Sequence, residues 1–393
     1  MASSKYMPEY SGSGYRAHKL YKRLTKKHPE VKLTVLAGSI SENSSAVYEY
    51  DGIKVQRIAG KKYLQLPGNT LKNTFRRAVN FKSEYKLTYK FLSRLDPVPD
   101  VVHIFGQNFL TAAVLNYARR NKIKTLIELC NEMPTPHHYI PFPYKYFISG
   151  MPPEDYMFIS ISEMLQNMCL ENGVSDERIW TRPNPVDHKV FYIPSDEEKL
   201  ELRKKLTPFG DCDKVISYIA KFRQSKNHSF LLEVLLKLPK EYKLLLGGPL
   251  VESGPETEVC RKIYRDIELF IKDNKLQERV HFFNGFVKNM DEYYKLSDVY
   301  AFPTLEEGLG TPMLEALACG VPVVANLIKN VTDKWIKNNE NGFVSAADSD
   351  IFAENIKKAV LFSKEKLRKE AVKIMKVAGT DVIDAKYWEL MNA

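Results

Sequence analysis

The sequence has few cysteines, and no two of them are close together in the sequence. Its five cysteines lie far apart, at Cys130, Cys169, Cys212, Cys260 and Cys319, and no two of them form a Cys-x-x-Cys motif. A disulfide framework uses an even set of cysteines, and a structural zinc site uses closely spaced pairs. The sequence therefore predicts free thiols in a reducing compartment.

Long apolar runs are also missing. No segment approaches the ~18 consecutive apolar residues that a membrane-spanning helix needs. The segment Met1 to Lys5 has no apolar stretch of the kind that marks a secretion signal. We therefore expect a globular protein of the cytoplasm. Its 393 residues, 44% of them hydrophobic, are enough for two packed cores.

Acidic residues are scarce in one part of the chain. Residues 1–124 contain 23 Lys and Arg against 8 Asp and Glu, whereas residues 191–393 contain 31 of each kind. The net charge of +10 is therefore concentrated towards the amino-terminal side. A field of this kind attracts an anionic partner, such as lipid headgroups, a nucleic acid or an acidic substrate.

Apolar runs typical of strands alternate with amphipathic helical patterns through most of the chain. In the first part these runs are 31–37, 52–58, 100–105, 123–129 and 158–162. A second series begins at residue 214. Such alternation predicts βαβ units with parallel strands. Two series predict an α/β protein of two doubly wound, Rossmann-like domains that face each other across a cleft.

The domain boundary is predicted in the proline-rich segment from Arg182 to Pro194, which has no helical period. We expect an amino-terminal Rossmann-like domain at 1–187 and a carboxy-terminal one at 188–375. A final helix at 376–393 could cross back to the first domain.

The first domain begins in an unusual way. Its glycine-rich turn, Ser11 to Gly14, follows only ten residues, and Pro8 and Glu9 interrupt them. A doubly wound domain normally opens with a buried strand before such a turn. We therefore expect a clipped first strand between Met1 and Tyr6, or a gene start that lies further upstream.

The most informative stretch runs from Asp298 to Ala325 and predicts a strand, a glycine loop, a short helix and a further strand. Pro312 suits the first position of that helix, and Gly320 suits its left-handed end. The amides of the loop would then point out of the positive end of the helix, where a phosphate can bind. Such loops are common in α/β proteins, so the loop alone does not decide the function.

Two glutamates flank this loop. Glu307 lies in it and Glu315 lies in the helix, so both side chains can face one pocket. A carboxylate there can accept hydrogen bonds from a ribose diol or hold a sugar hydroxyl. The simpler interpretation of a glutamate in a first helical turn is an interaction with the helix dipole.

The whole string carries a resemblance. Glu307-Gly-Leu-Gly-Thr-Pro-Met-Leu-Glu315-Ala, followed by Ala-Cys-Gly-Val-Pro-Val-Val-Ala325, resembles the signature of retaining GT-B glycosyltransferases of family 4, or glycosyl transferases group 1. Weaker similarities cover nearly the full chain. They are Phe283-Asn-Gly285-Phe-Val, Ser160-Ile-Ser-Glu163, Asn184-Pro-Val-Asp187, Asp100-Val-Val-His103, and Gly12 with Gly14.

The resemblance implies a metal-independent, cofactor-free and retaining transfer of a hexose-like sugar. The donor would be a nucleotide-diphospho-sugar and the acceptor a glycan or a lipid-linked molecule, in cell-envelope or surface polysaccharide synthesis. It implies catalytic roles for Glu307, Lys221 and Lys226. The implied donor-binding residues are Gly12, Gly14, Arg223, Gly285, Phe286, Gly308, Leu309, Gly310, Thr311 and Glu315.

The sequence departs from the family pattern at two places. Ala220 and Lys221 stand where the family has glycine and arginine, whereas Lys226 matches the family lysine. The Lys221 side chain can neutralise phosphate, but it lacks the bidentate fork of arginine. A family histidine has no counterpart, because Cys130-Asn131-Glu132 stands there and His137 and His138 come later. We therefore assign no histidine a catalytic role, and we expect core positions for His103 and Cys319.

Residues 71–94 predict a basic amphipathic helix, with Leu71, Phe75, Ala78 and Val79 on one side. This pattern fits a helix that rests on an anionic membrane, which would place the protein peripherally on the inner face. A plain solvated helix is the simpler alternative. Two other classes stay open: a nucleic-acid-directed transferase or nucleic-acid-binding protein, which lacks a supporting motif, and a sugar-nucleotide epimerase of the same fold.

Overall fold

The computed structural model describes residues 1–9, 11–39, 42, 44–60, 63, 70–106, 108–129, 156–250 and 257–392. The chain divides into two compact units. The first unit is Met1–Arg182 with Asp384–Ala393, and the second is Pro183–Ile383. This division lies a few residues before the predicted boundary at 187/188. In the described part of the chain, no helix combines the length and the apolar character needed to cross a membrane.

The first unit is built on a sheet that has eight strands within the described residues. They are β1 (Ala2–Ser3), β2 (Val35–Ala37), β3 (Ala46–Tyr50), β4 (Ile53–Arg57), β5 (Val101–Phe105), β6 (Lys124–Glu128), β7 (Met157–Ser160) and β8 (Ile179–Thr181). Their order is β3-β4-β2-β1-β5-β6-β7-β8, and all neighbours are parallel except β3 and β4. The chain therefore winds outwards in both directions from β1, as in a doubly wound fold.

Four helices accompany this sheet in the described residues: α1 (Gly12–Lys27), α2 (Leu71–Leu92), α3 (Phe109–Arg120) and α4 (Glu163–Glu171). Helix α1 begins where the Ser11 side chain accepts a hydrogen bond from the Gly14 amide. It buries Ala17, Leu20 and Leu24, which recur at helical spacing on one face. The strand expected between Met1 and Tyr6 is formed by Ala2 and Ser3 alone, between β2 and β5.

The second unit contains a parallel sheet of six strands in the described residues. They are β9 (Lys214–Ile219), β10 (Tyr242–Gly248), β11 (Val280–Asn284), β12 (Val299–Phe302), β13 (Val323–Asn326) and β14 (Gly342–Ser345). Their order is β11-β10-β9-β12-β13-β14, which is the doubly wound order 3-2-1-4-5-6. The order reverses between β9 and β12. Two parallel α/β units confirm the predicted fold class.

The helices of the second unit are α5 (Asp196–Leu206), α6 (His228–Leu236), α7 (Thr257–Asp273), α8 (Met290–Lys295), α9 (Thr311–Ala318), α10 (Thr332–Trp335), α11 (Ser349–Val360) and α12 (Lys364–Ala378). Helix α13 (Thr380–Asn392) begins in the second unit and continues into the first. Cys319 is buried at the end of α9, as expected. The described cysteines, Cys169, Cys212, Cys260 and Cys319, are free, and Cys130 lies outside the described residues.

A buried polar cluster in the first unit joins β6, α13 and the residue that follows β8. Arg182 Nη2 donates to Glu128 Oε2 at 3.0 Å, and Arg182 Nε donates to the Tyr387 hydroxyl at 2.9 Å. Tyr387 in turn donates to Glu128. Burial raises the pKa of Glu128, but the charge of Arg182 and the hydrogen bond with His103 outweigh it and hold the pKa at about 2. His103 is fully buried beside this cluster, as expected.

Candidate active site

The predicted catalytic residues lie at the carboxyl ends of β9 and β12. These are the two strands between which the order of the second sheet reverses. Ligands of doubly wound sheets bind at such a switch point. The loop after β9 carries Lys221, Arg223 and Lys226, and the loop after β12 carries Glu307.

Hydrogen bonds tie these two loops together. The Leu305 amide donates to the Ser225 carbonyl at 2.8 Å, and the Thr304 hydroxyl donates to the same carbonyl at 3.0 Å. The Asn227 side chain donates to the Pro303 carbonyl at 3.3 Å. The positions of Lys226 and Glu307 are therefore fixed relative to each other by backbone contacts.

Lys226 and Glu307 form an ion pair across the switch point. Lys226 Nζ lies 2.8 Å from Glu307 Oε2, and the two side chains are 23% and 24% exposed. Glu307 Oε1 accepts a hydrogen bond from the Gly308 amide at 3.0 Å. The Gly308 amide, which the sequence led us to assign to a phosphate, is thus directed at Glu307. The two predicted catalytic groups neutralise each other.

Lys221 and Arg223 lie on the surface on either side of Phe222. Both cationic side chains are exposed, whereas Phe222 is fully buried in the core of the second unit. Packing of Phe222 therefore anchors the loop while its neighbours stay in contact with solvent. This arrangement leaves two cations beside Lys226 at the same edge of the sheet.

The backbone of Ala220 lies very close to the backbone of Gly248. A Cβ atom at Gly248 would lie 1.8 Å from the Ala220 carbonyl oxygen, and Gly248 has a φ of 144°. This close approach of the two backbones therefore requires glycine at 248. His228 Nε2 donates to the Ala220 carbonyl at 3.1 Å, and burial lowers the pKa of His228 to about 4.

Helix α9 begins directly after the glycine loop. Gly310 precedes it with a φ of 71°, Thr311 and Pro312 form its first turn, and Gly320 ends it with a φ of 71°. The first amides of a helix have no intrahelical acceptor, so they form the positive end that the sequence predicted. Asn184 Nδ2 donates to the Thr311 hydroxyl at 3.0 Å and helps to hold this turn.

Glu315 is the fifth residue of α9, beyond the first turn in which the sequence predicted it, and it is half-buried. Its Oε2 accepts a hydrogen bond from the Tyr294 hydroxyl at 3.1 Å. Burial, followed by the charge of Glu315, raises the pKa of Tyr294 well above its usual range, so the phenol keeps its proton. The sequence alone predicts no role for Tyr294 or Asn184. The only signal for Asn184 was its place in the Asn184-Pro-Val-Asp187 motif.

Four of the predicted donor-binding residues lie outside these two loops and α9. Gly285 and Phe286 follow β11 at the same edge of the second sheet, and the Phe286 ring is 77% exposed. Gly12 and Gly14 belong to the first unit, where a Cβ at Gly14 would lie 2.3 Å from the Lys5 carbonyl. The residues Cys130, Asn131, Glu132, His137 and His138 lie outside the described residues.

Among the residues that the structure describes, no group of three or more His, Cys, Asp or Glu side chains could hold a metal ion. Asp211 and Asp213 form an Asp-x-Asp pair, but they precede β9 and so lie at the edge of the sheet opposite the candidate site. There Asp213 Oδ2 accepts a hydrogen bond from the Gly210 amide. Metal independence stays a prediction.

The sequence of the second unit identifies its family. Residues 199–376 match the sequence model of the family described as glycosyl transferases group 1. This segment therefore belongs to glycosyl transferases group 1. The match confirms the predicted family, and it includes the loops with Lys221, Lys226, Glu307 and Glu315.

Curated relatives of this glycosyltransferase segment are distant and match in part. N-acetyl-alpha-D-glucosaminyl L-malate synthase of Bacillus anthracis is 26% identical over 187 residues, which are 47% of this chain and 45% of that protein. The capsular polysaccharide biosynthesis glycosyltransferase CapM of Staphylococcus aureus is 28% identical over 237 residues, 57% of this chain and 58% of its own length. The chain spans about half the length of these relatives.

Solved structures match over the whole chain. HepE of Anabaena, determined in complex with UDP, has a TM-score of 0.71 and 15% sequence identity. The match covers 100% of this chain and 98% of that one. Together with the two parallel sheets, it confirms the GT-B glycosyltransferase fold for both units.

Proposed function

We propose that the protein is a retaining glycosyltransferase that uses a nucleotide-diphospho-sugar. The observation that carries this proposal is the ion pair of Lys226 and Glu307, which joins the loops after β9 and β12 at the switch point of the group 1 segment. A cation there can bind a diphosphate. A carboxylate beside it can hold a hydroxyl of the transferring sugar.

In the proposed reaction, the acceptor oxygen bonds to the anomeric carbon as the bond from that carbon to the β-phosphate oxygen breaks. Both events occur on one face of the sugar, and the acceptor proton passes to the departing diphosphate. Lys221, Lys226 and the first amides of α9 stabilise the charge that develops on this diphosphate. Glu307 orients the sugar, and Glu315 accepts hydrogen bonds from the ribose. The proposed chemistry uses no metal and no cofactor.

The acceptor side of the proposal rests on a surface of α2, which we call the α2 face. Its apolar end is formed by Leu71 and Phe75, whose side chains are 92% and 70% exposed. The exposed cations that follow are Lys72, Lys82, Lys86 and Lys90. The one acidic residue of the helix, Glu84, is buried, so it adds no negative charge to this surface.

We propose that the α2 face rests on an anionic membrane, where the enzyme would meet a lipid-linked acceptor of envelope or surface polysaccharide synthesis. The exposed lysines can attract anionic headgroups, and the exposed Leu71 and Phe75 can enter the apolar part of the lipid interface. Each lysine near such a surface contributes about 1 kcal/mol of attraction. A duplex nucleic acid would use the lysines but would leave Leu71 without an apolar contact, so the membrane is the favoured partner.

The donor can be tested directly with UDP, GDP and ADP and with their glucose and N-acetylglucosamine derivatives. A nucleotide that binds the folded protein raises its melting temperature by mass action. We expect one base to stabilise the wild type, and Lys226→Ala to lose most of that shift. Absence of stabilisation by all three bases at millimolar concentration would contradict the proposed function.

The membrane proposal can be tested with vesicles of phosphatidylcholine containing 30% phosphatidylglycerol, at 50 and 200 mM salt. Combined Lys82→Glu, Lys86→Glu and Lys90→Glu should abolish binding, and Phe75→Ser should weaken it. The matched control reverses three exposed lysines of the second unit, Lys240, Lys262 and Lys272. Equal loss in both triple variants would indicate a general charge effect. Tighter binding to duplex DNA than to vesicles would favour the nucleic-acid alternative.

A further inference from the structure

The Tyr294 hydroxyl donates a hydrogen bond to Glu315, a predicted donor-binding carboxylate. Tyr294 lies on α8, is 1% exposed and donates to Glu315 Oε2 at 3.1 Å. Glu315 lies on the neighbouring helix α9 and is half-buried. A buried phenol therefore faces a carboxylate that is partly open to solvent.

Packing fixes the direction of this phenol. The Tyr294 ring meets the ring of Tyr300 on β12 edge-on, with centroids 5.1 Å apart and an interplanar angle of 86°. On another side it contacts Phe191 at 6.2 Å between centroids. A ring held by two aromatic neighbours cannot move its hydroxyl without disturbing the core. The hydroxyl is thus a fixed donor.

Glutamate is a flexible side chain, and its ordering has an entropic cost. A ligand that uses Glu315 must bear this cost unless the fold has already ordered the side chain. A fixed donor on one carboxylate oxygen orders the group before the ligand arrives, and it leaves the geometry of the other oxygen defined. This effect requires no contact between Tyr294 and the ligand.

We propose that Tyr294 is a positioning residue that holds Glu315 in the orientation for donor binding. The inference rests on the proposed function, because it takes the nucleoside diphosphate part of the donor as the ligand of Glu315. It extends that function to a residue outside the two loops and α9. The phenol acts through Glu315 alone, so every effect of its removal on binding should require the carboxylate.

The test is a double-mutant cycle read out by calorimetric binding of a nucleoside diphosphate. UDP, GDP and ADP are first titrated into the wild type, and the tightest of them is the probe. The variants are Tyr294→Phe, Glu315→Gln and their combination. Tyr242→Phe is the matched control, since this buried tyrosine lies at the opposite end of β10.

We expect Tyr294→Phe to raise the dissociation constant roughly tenfold, the size of a lost hydrogen bond to a charged group. Tyr242→Phe should leave it unchanged. In the Glu315→Gln background, adding Tyr294→Phe should have no further effect, because the two side chains act as one unit. Unchanged binding by Tyr294→Phe, or additive losses in the double variant, would overturn the inference.

A second variant covers the case in which Tyr294→Phe does not fold. Glu315→Asp keeps the charge and Tyr294 but withdraws the carboxylate by one methylene group. It should weaken binding of the same probe, and wild-type affinity in this variant would overturn the inference. A wild type that binds none of the three nucleotides would instead refute the proposed function, so the two failures are distinguishable.

Discussion

Lys226 Nζ lies 2.8 Å from Glu307 Oε2, so a cation expected to bind phosphate is neutralised by a carboxylate expected to hold a sugar. Partly exposed pairs of this kind contribute only ~0–1 kcal/mol. A donor diphosphate can therefore replace Glu307 at the lysine with little loss. Exchange of partners would release the carboxylate for the sugar in the same step.

This exchange predicts opposite effects of Glu307→Gln on binding and on catalysis. The variant no longer competes for Lys226, so affinity for the nucleoside diphosphate should stay equal or rise by up to about fivefold. Turnover should fall by at least tenfold, because the sugar loses a charged hydrogen-bond acceptor that acts in the transition state. Calorimetry and initial rates with the native donor measure the two effects. Full turnover in this variant would make the ion pair purely structural.

Lys221 allows a test of the departure from the family pattern. Lys221→Ala removes an exposed cation, and we expect it to weaken diphosphate binding by about threefold to tenfold. Lys221→Arg restores the residue type of the family and its bidentate fork, so it should bind at least as tightly as the wild type. The exposed Lys240→Ala serves as the control. Identical affinities for all of these proteins would place Lys221 outside the site.

The buried His228 predicts a loss of stability in mild acid. Burial lowers its pKa to about 4 from an ordinary value of 6.5, so between these pH values the unfolded chain binds a proton that the folded protein does not. Above pH 6.5 His228 is neutral in both states, so it causes no loss in the free energy of unfolding. As the pH drops from 6.5 to 4, protonation of His228 in the unfolded chain lowers the free energy of unfolding by about 3 kcal/mol at most.

Urea unfolding at pH 7.5 and pH 5 measures this contribution. His228→Gln keeps a donor for the Ala220 carbonyl but has no group that titrates in this range. The wild type should therefore lose more stability between the two pH values than the variant does. Equal losses in the two proteins would contradict the assignment.

The buried cluster of Glu128, Arg182 and Tyr387 predicts a large loss of stability when either partner of Glu128 is replaced. Arg182→Met should lower the free energy of unfolding by about 3–5 kcal/mol, because it leaves a buried carboxylate without its cation. Tyr387→Phe should lower the free energy of unfolding by about 1–3 kcal/mol, since it removes a hydrogen-bond donor to Glu128.

The same cluster predicts a loss of stability in strong acid. Because the pKa of Glu128 is held at about 2, the stability that its ionised form provides is present above pH ~4.5 and is lost as the pH falls towards 2. Chemical unfolding monitored by circular dichroism gives both quantities, and a change below 1 kcal/mol for Arg182→Met would disprove the role of this pair.

The inner strands of the second sheet could be predicted from the sequence because they are buried on both faces, whereas the edge strand β14 was missed. Strands of this kind are continuous apolar runs, such as Val299 to Phe302, and they stand out between helical patterns. Strand β3 was missed for the opposite reason. It lies at the sheet edge, and its residues alternate between half-buried and exposed, with Glu49 among them. β8 was missed as well, because its three residues give too short a signal.

The candidate site was predictable in its parts but not in its contacts. The spacing of Glu307 and Glu315 within one motif points to both residues. The ion pair joins residues 81 positions apart, and the Tyr294–Glu315 hydrogen bond spans 21 positions between two helices. No periodicity couples such positions, since the contacts depend on how strands and helices pack in three dimensions. The same is true of Gly248, whose requirement for glycine comes from the neighbouring strand.

The return of α13 to the first unit has a consequence for the order of events during synthesis. Tyr387 is translated 259 positions after Glu128, and the whole of Pro183–Ile383 is made between them. Domains fold as the ribosome releases them, at about 5–20 residues per second. The first unit is thus completed only after the second unit has been made. For at least about ten seconds, Glu128 has no tyrosine partner. By the time Tyr387 is made, the glycosyltransferase group 1 segment already has all of its own strands.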